Sequence, residues 1–265
     1  MARYLRLYRA FLAQWLKTLL QYRFNFVVGA ASTLVQQATG LLVLWVAMLR
    51  VPRLGGLGGW GRDEILLVYG LLLLAKAINH LVADNLWSLG ILYIRTGRLD
   101  TLLVRPVNPL FHVLVDRFGH DGLGSFALGV ALVCRAALRV GVAWTPLQIA
   151  YLVVAVLSGG VIFIALNLIT STVGFYIIDA MPLTLAVFQT HELAQYPVTI
   201  YRKGVRVLVM CAVPYVFASY VPASYLLGKD AGWLAGAGPL VAGGLLFVGY
   251  RLWQRGLEHY GSTGA

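Results

Sequence analysis

His191-Glu192 is the pair in this chain that most suggests metal chemistry. A zinc-dependent hydrolase carries a second imidazole four residues after the first, with the glutamate between them as general base. Position 195 is Gln195, so the second ligand is missing. His112, Asp116 and His120 recur at four-residue intervals, and one helical face could present them together to a metal. A solvated, charged interfacial face explains the same spacing. A nucleotide cradle ends in Gly-Lys-Ser/Thr. The only Gly-Lys pair, Gly228-Lys229, is followed by Asp230, so nucleotide-driven work falls to another polypeptide. Neither Ser-His-Asp spacing nor paired carboxylates within one apolar run stands out. Two candidates concern passage rather than catalysis. Lys76 and His80 lie one turn apart in an apolar run, where ionisable groups are costly. They could face an aqueous cavity, or mark the cytoplasmic end of a span with Lys76 snorkelling. The stripe Gln189, Thr190, His191, Glu192 and Gln195 could line a pathway, or lie outside the bilayer.

The elements that carry these residues are set by composition. The 265 residues are 60% hydrophobic and 12% charged, against about 45–50% and about 25% in soluble domains. Mean hydropathy is +0.78. A soluble fold of this length could not bury so much apolar surface, which excludes a soluble enzyme, a disordered chain and a disulfide-stapled module. The chain reads as one all-α polytopic membrane domain. Its 21 Lys+Arg against 10 Asp+Glu give +11, which in a membrane protein sets orientation and grips anionic lipid rather than nucleic acid. Cys134 and Cys211 read as small buried hydrophobes. No cleavable signal peptide is read, because the first apolar run follows five basic residues and is too long for one.

Residues 3–23 read as an amphipathic interfacial helix. Leu5, Tyr8, Phe11, Leu12, Trp15, Leu16 and Leu19 share one face and Arg3, Arg6, Arg9, Lys17 and Arg23 the other. Packing on other protein is the alternative. Spans follow at 24–49, 65–82, 122–142 and 147–178, the last with a weak point at Gly159-Gly160. A Gly-rich loop with Gly55, Gly56, Gly58, Gly59 and Trp60 separates the first two. The final span is 231–253, anchored by Trp233 and Trp253, and Gly232-x-x-x-Gly236 offers a helix contact. Between 179 and 229, either 181–198 or 205–227 could cross. Both choices give six crossings, with the termini and the polar interval 84–118 cytoplasmic.

That interval carries a family resemblance. Ile94-Arg95-Thr96-Gly97-Arg98-Leu99-Asp100-Thr101-Leu102-Leu103-Val104-Arg105-Pro106-Val107 resembles the cytoplasmic segment of ABC-2 type transporter permeases, where a basic residue, Gly, Leu, an acidic residue, Leu-Leu and Pro recur between spans two and three. Arg105 to Pro109 resembles a bacterial subgroup whose genes often come in adjacent pairs. The resemblance implies transport, mostly export, across the bacterial plasma (inner) membrane. It implies two permeases, identical or paired relatives, over two ATP-binding subunits that hold ATP and Mg, with no cofactor on this chain. Residues 94–106 would be a coupling helix that inserts into the ATPase, with Arg95, Gly97, Arg98, Leu99, Asp100, Leu103, Arg105 and Pro106 mapping onto it. Leu99, Leu102 and Leu103 would form its apolar face, and Pro106 would stop it. Tyr196-Pro197, Pro214 and Pro222 resemble the family's outer re-entrant helices, at 201–227. That makes 181–198 the fifth span and puts Arg202, Lys203 and Arg206 outside, against the charge rule. The competing class is a membrane-embedded transferase or metal-dependent hydrolase built on a His/Asp/Glu cluster. A secondary transporter would show symmetric halves with broken helices, and none is evident.

Overall fold

The computed structural model describes residues 2–50, 53–54, 59–116, 118–119, 121–142, 144–177, 179–229 and 231–261. Arg117, His120 and Asp230, and Gly55, Gly56 and Gly58 of the glycine-rich loop, lie outside the described residues. The α-helices are α1 (Ala2–Gln21), α2 (Arg23–Arg50), α3 (Arg62–Ala83), α4 (Arg98–Leu103), α5 (Pro109–Val115), α6 (Asp121–Val140), α7 (Pro146–Ser171), α8 (Met181–Gln189), α9 (Lys203–Val207), α10 (Tyr220–Leu226) and α11 (Gly238–His259). No strand occurs among the described residues. Leu54 and Trp60 form one isolated antiparallel bridge.

Buried α3 is the axis of the domain, with α6 and α7 packed along it and α11 behind α7. Small residues permit that closeness, as expected where lipid removes the hydrophobic drive between helices. A Cβ on Gly129 would sit 3.0 Å from Leu74 Cδ2 and 3.1 Å from the Gly70 carbonyl oxygen. The helix α7 runs unbroken through Gly159-Gly160. These glycines seat α7 against Ala75, Ile78 and Ala218; a close contact, not the expected weak point, is what requires them. By contrast, α2 leans mainly on α6 and is exposed along most of its length.

Among the described residues, four helical stretches are long and apolar enough to cross a membrane: Phe26–Arg50, Arg62–Ile94, Gly122–Val140 and Pro146–Phe175. A fifth is reached if the pair Lys203–Ala212 and Tyr215–Leu226, bent by 72°, counts as one span. The expected last span begins later than its hydropathy suggests. Gly232–Gly236 form a 3-10 turn, and α11 carries Arg251, Arg255 and Glu258 in its final turns. A Cβ on Gly236 would meet nothing within 4 Å, so close helix packing does not require a glycine there.

The segment 181–196 ascends beside α3. Met181 and Thr184 lie with Leu86, Trp87 and Gly90 around one small cavity. Phe188 packs on Trp87 and His80, His191 reaches Lys76, and Tyr196 joins the cluster that contains Tyr69. From Gly90 to Tyr69 is about 30 Å along a helix axis. The bent pair joins both clusters that pack on α3. Val209 and Tyr215–Ala218 pack near Leu72 and Ala75, while Ala223 and Leu226 are back beside Ile65 and Leu66. Pro214 stands at the corner, where its missing N–H costs no helix bond. Pro222 lies in the first turn of α10, and Pro197 precedes a 3-10 turn at Val198–Ile200.

Two further expectations are corrected. Cys134 and Cys211 are free and exposed, not buried. The aromatic side of α1 turns to protein: Tyr4 meets Phe111, Phe11 meets His112, and Tyr8 and Trp15 meet Phe118. Leu5, Leu16 and Leu20 keep the exposed apolar surface, so the face read as one divides between protein and surroundings.

Candidate functional site

A polar cavity of about 490 Å³ opens between α2, α3 and α8. Lys76 and His80 project into it from α3, one turn apart on the same face. The 3-10 continuation of α3 adds Asp84, Asn85 and Trp87, α2 adds Gln36 and Gln37, and α6 adds Ser125. Exposed Leu92 and Leu185 form part of its rim.

Hydrogen bonds fix the ring and ammonium roles. His191 Nδ1 is 2.6 Å from the Phe188 carbonyl oxygen. A carbonyl only accepts, so Nδ1 carries the proton and Nε2 is bare. Lys76 Nζ donates to that Nε2 at 3.4 Å and lies 5.7 Å from the Phe188 ring centroid. His80 Nδ1 contacts Asp84 Oδ1 at 3.0 Å. Gln37 Nε2 donates to Ser125 Oγ at 3.4 Å, and Tyr69 donates its hydroxyl to the Gln37 side-chain oxygen at 3.3 Å. The Trp87 indole N–H is buried without a partner among the described residues.

Of the stripe 189–195, His191 makes a direct contact with this wall, from behind Lys76, and Glu192 acts on Lys76 at longer range. Gln189 and Glu192 are exposed, Gln195 is half-buried, and the Thr190 hydroxyl turns back to the Val187 carbonyl. Once the helix tightens to 3-10 at Thr190, its side chains fan out instead of forming one face. Gln36, Gln37, Asp84, Asn85 and Ser125 were not picked out from the sequence. Uncharged amides and hydroxyls are common in apolar helices, and only the packing of α2 and α6 gathers them around Lys76.

Below the cavity the chain forms an elbow. Residues 94–106 are not one helix. Gly97, at φ 68, breaks the run, and α4 holds only Arg98–Leu103. That left-handed turn suits glycine, which has no Cβ to clash. Leu99 and Leu102 are buried with Leu110, Val113, Leu168 and Trp253. Leu103 is 44% exposed and Val104 84% exposed, so Leu103 leaves the expected apolar face. With exposed Arg95, Arg105 and Pro106, they make an apolar tip ringed by basic groups.

The elbow is pinned from inside. Tyr93 donates its hydroxyl to Asp116 Oδ2 at 2.7 Å, and Arg98 Nη2 reaches the same oxygen at 2.8 Å. Asn108 caps α5, its Oδ1 accepting from the N–H groups of Leu110 and Phe111. Arg105 Nη1 donates to His112 Nε2 at 3.2 Å. Burial, then the Arg105 guanidinium, hold His112 below its ordinary 6.5. His112 and Asp116 are thus occupied by side chains, and among the described residues no three His, Cys, Asp or Glu converge as a metal site. Elbow and cavity share a floor: Asn85 Nδ2 donates to the Val113 carbonyl at 2.8 Å, and Gly119 N–H to the His80 carbonyl at 3.2 Å.

These parts define an all-α integral membrane protein whose polar cavity and protruding elbow are joined through one helix. The family model for ABC-2 family transporter protein matches residues 34–264, and the chain belongs to that family. Membership sets it among transport proteins rather than enzymes. Searches of curated proteins and of solved structures gave no match.

Proposed function

We propose that this chain is the permease subunit of an ATP-driven exporter in a bacterial inner membrane, forming the substrate pathway as a pair with a second permease. One observation carries the reading: the cavity and the elbow share a floor at the C-terminal end of α3. An ATP-binding subunit docked on Leu103, Val104 and Arg105 could displace the elbow, and the Asn85–Val113 and Gly119–His80 bonds would pass that movement to the cavity wall. The sequence offers no phosphate cradle, so two partner subunits supply ATP, Mg and hydrolysis. Residues 1–265 then form one transmembrane domain with cytoplasmic termini. Six crossings fit if the ascent at 181–196 is the fifth, the bent pair is re-entrant, and α11 is the sixth.

The test begins with the tagged chain purified from its native membrane. A co-purifying ATP-binding subunit with vanadate-sensitive ATPase activity in lipid is the expected result. Val104→Asp puts a charge on an exposed position, so the fold should persist while the ATP-binding subunit is lost. If Val104→Asp retains its ATPase and its turnover, the elbow is not the docking point. If no ATP-binding protein accompanies the wild-type chain, the exporter reading fails.

A further inference from the structure

We propose that the cavity between α2, α3 and α8 is a binding site for an anionic group, a phosphate or carboxylate, carried on an amphiphile. As the substrate class of the pathway, this rests on the exporter reading; as a binding site, it rests on the cavity's own charges.

The first observation is a cation without an ion pair, on which the carboxylate of exposed Glu192 acts only from a longer range. Among the described residues, no carboxylate lies within ion-pair distance of Lys76. Its contact is with a histidine whose bare nitrogen carries no charge, and with a ring face. An ammonium at this depth is costly, and such groups pair or mark a pathway. Lys76 has three protons, and His191 takes one.

The second is an excess of donors. Trp87 lines the same wall, and its indole N–H is buried behind it without an acceptor among the described residues. Asp84, the one carboxylate at the cavity among the described residues, is held by His80 and stands about 12 Å further along the helix from Lys76. A wall whose lysine keeps spare protons and whose acid is occupied favours an acceptor-rich, negatively charged guest.

The third is the rim. Leu92 and Leu185 are exposed apolar side chains at the cavity edge, and the outward face of α2 beside it presents Leu34 and Val35. A guest with its charged end at Lys76 meets hydrocarbon where it emerges. That geometry suits an amphiphile better than a freely soluble ion, though both share the anionic chemistry.

The full-length protein in zwitterionic nanodiscs is titrated with dioctanoylphosphatidylglycerol, dioctanoylphosphatidylcholine and inorganic phosphate. Binding is read by native mass spectrometry and by displacement of a fluorescent phosphatidylglycerol. Saturable phosphatidylglycerol binding is expected, weakened at least roughly tenfold by Lys76→Gln and restored by Lys76→Arg. Phosphatidylcholine should not compete. If phosphate binds as tightly as the lipid, with the same Lys76 dependence, the anionic site stands and the amphiphile is overturned. Leu185→Trp fills the rim and should also abolish binding, which keeps the test open should Lys76→Gln fold poorly. Phosphatidylglycerol binding unchanged in both variants overturns the site.

Turnover of the complex with its ATP-binding subunit separates the two readings. Loss of transport in Leu185→Trp without any anionic binding leaves the pathway and removes this substrate class. Lys76-dependent binding with transport unaffected by Leu185→Trp leaves the site and removes the pathway.

Discussion

A lysine and a histidine stand out in an apolar run because their charge has a price there. Lys76 and His80 were legible for that reason, while Gln36, Gln37 and Ser125 were not, since their polarity is ordinary in such helices. His112 is different again: its spacing with Asp116 suggested a ligand, and the fold uses it as an acceptor for Arg105. Because burial and then Arg105 hold His112 below 6.5, the unfolded chain binds this proton at a pH where the folded chain does not. Stability therefore falls as pH drops below about 6.5. Arg105→Gln removes the smaller of those two causes and should make the fall shallower without abolishing it. Thermal midpoints in detergent between about pH 8 and pH 5 check this; equal slopes for the two proteins would remove the Arg105 contribution from the account. A second residue-scale expectation concerns Gly160, where a Cβ would lie 2.7 Å from Ile78 Cβ. Gly160→Ala should destabilise by about 1–3 kcal/mol. Gly243→Ala on α11 meets nothing within 4 Å and should be neutral or stabilising by up to about 1 kcal/mol. Indistinguishable midpoints for the two variants would mean that α7 and α3 are not packed this tightly.

At the level of elements, the sequence located the elbow but drew it as one helix. The Leu spacing and Pro106 suggested a continuous 94–106; the break at Gly97 depends on a backbone angle that a Leu pattern does not encode. Leu103 left the apolar face for a related reason, since a helix ending at 103 has no further turn to bury it. What holds α4 against α5 is Asp116, and two effects compete there. The Arg98 pair is 46% exposed on the arginine side and is worth about 0–1 kcal/mol. The Tyr93 hydroxyl belongs to a side chain only 2% exposed, and losing its carboxylate acceptor costs about 1–3 kcal/mol. The hydroxyl wins. Asp116→Asn keeps an acceptor for Tyr93 and should retain most of the stability, whereas Asp116→Ala should lose about 1–3 kcal/mol. The elbow should also become more accessible, read by hydrogen exchange over residues 95–107. If Asn and Ala variants exchange alike, charge rather than the hydroxyl fixes this element.

For the whole molecule, hydropathy and the charge rule disagree with the proposed topology about one stretch. Residues 205–227 are the more apolar, and Arg202, Lys203 and Arg206 before them would be cytoplasmic by the positive-inside count. Both signals treat side chains as independent. Arg206 is not: its guanidinium donates to the carbonyls of Val198, Thr199 and Tyr201, closing a turn of its own backbone. In the proposed topology the more polar 181–196 crosses instead, its α-helical and 3-10 turns reaching about 25 Å beside α3. Its polar groups are sheltered against α3, as the His191–Lys76 contact illustrates. The two topologies put residue 203 on opposite faces while leaving residue 101 cytoplasmic in both. In a background with Cys134 and Cys211 replaced by Ser, Lys203→Cys should therefore react with a membrane-impermeant maleimide on spheroplasts, and Thr101→Cys only after the membrane is opened. Both positions are exposed in the fold, so neither is hidden by protein. If Lys203→Cys is instead protected until the membrane is opened, 181–196 does not cross, the bent pair becomes a single span, and the cavity's α8 wall lies at the cytoplasmic surface.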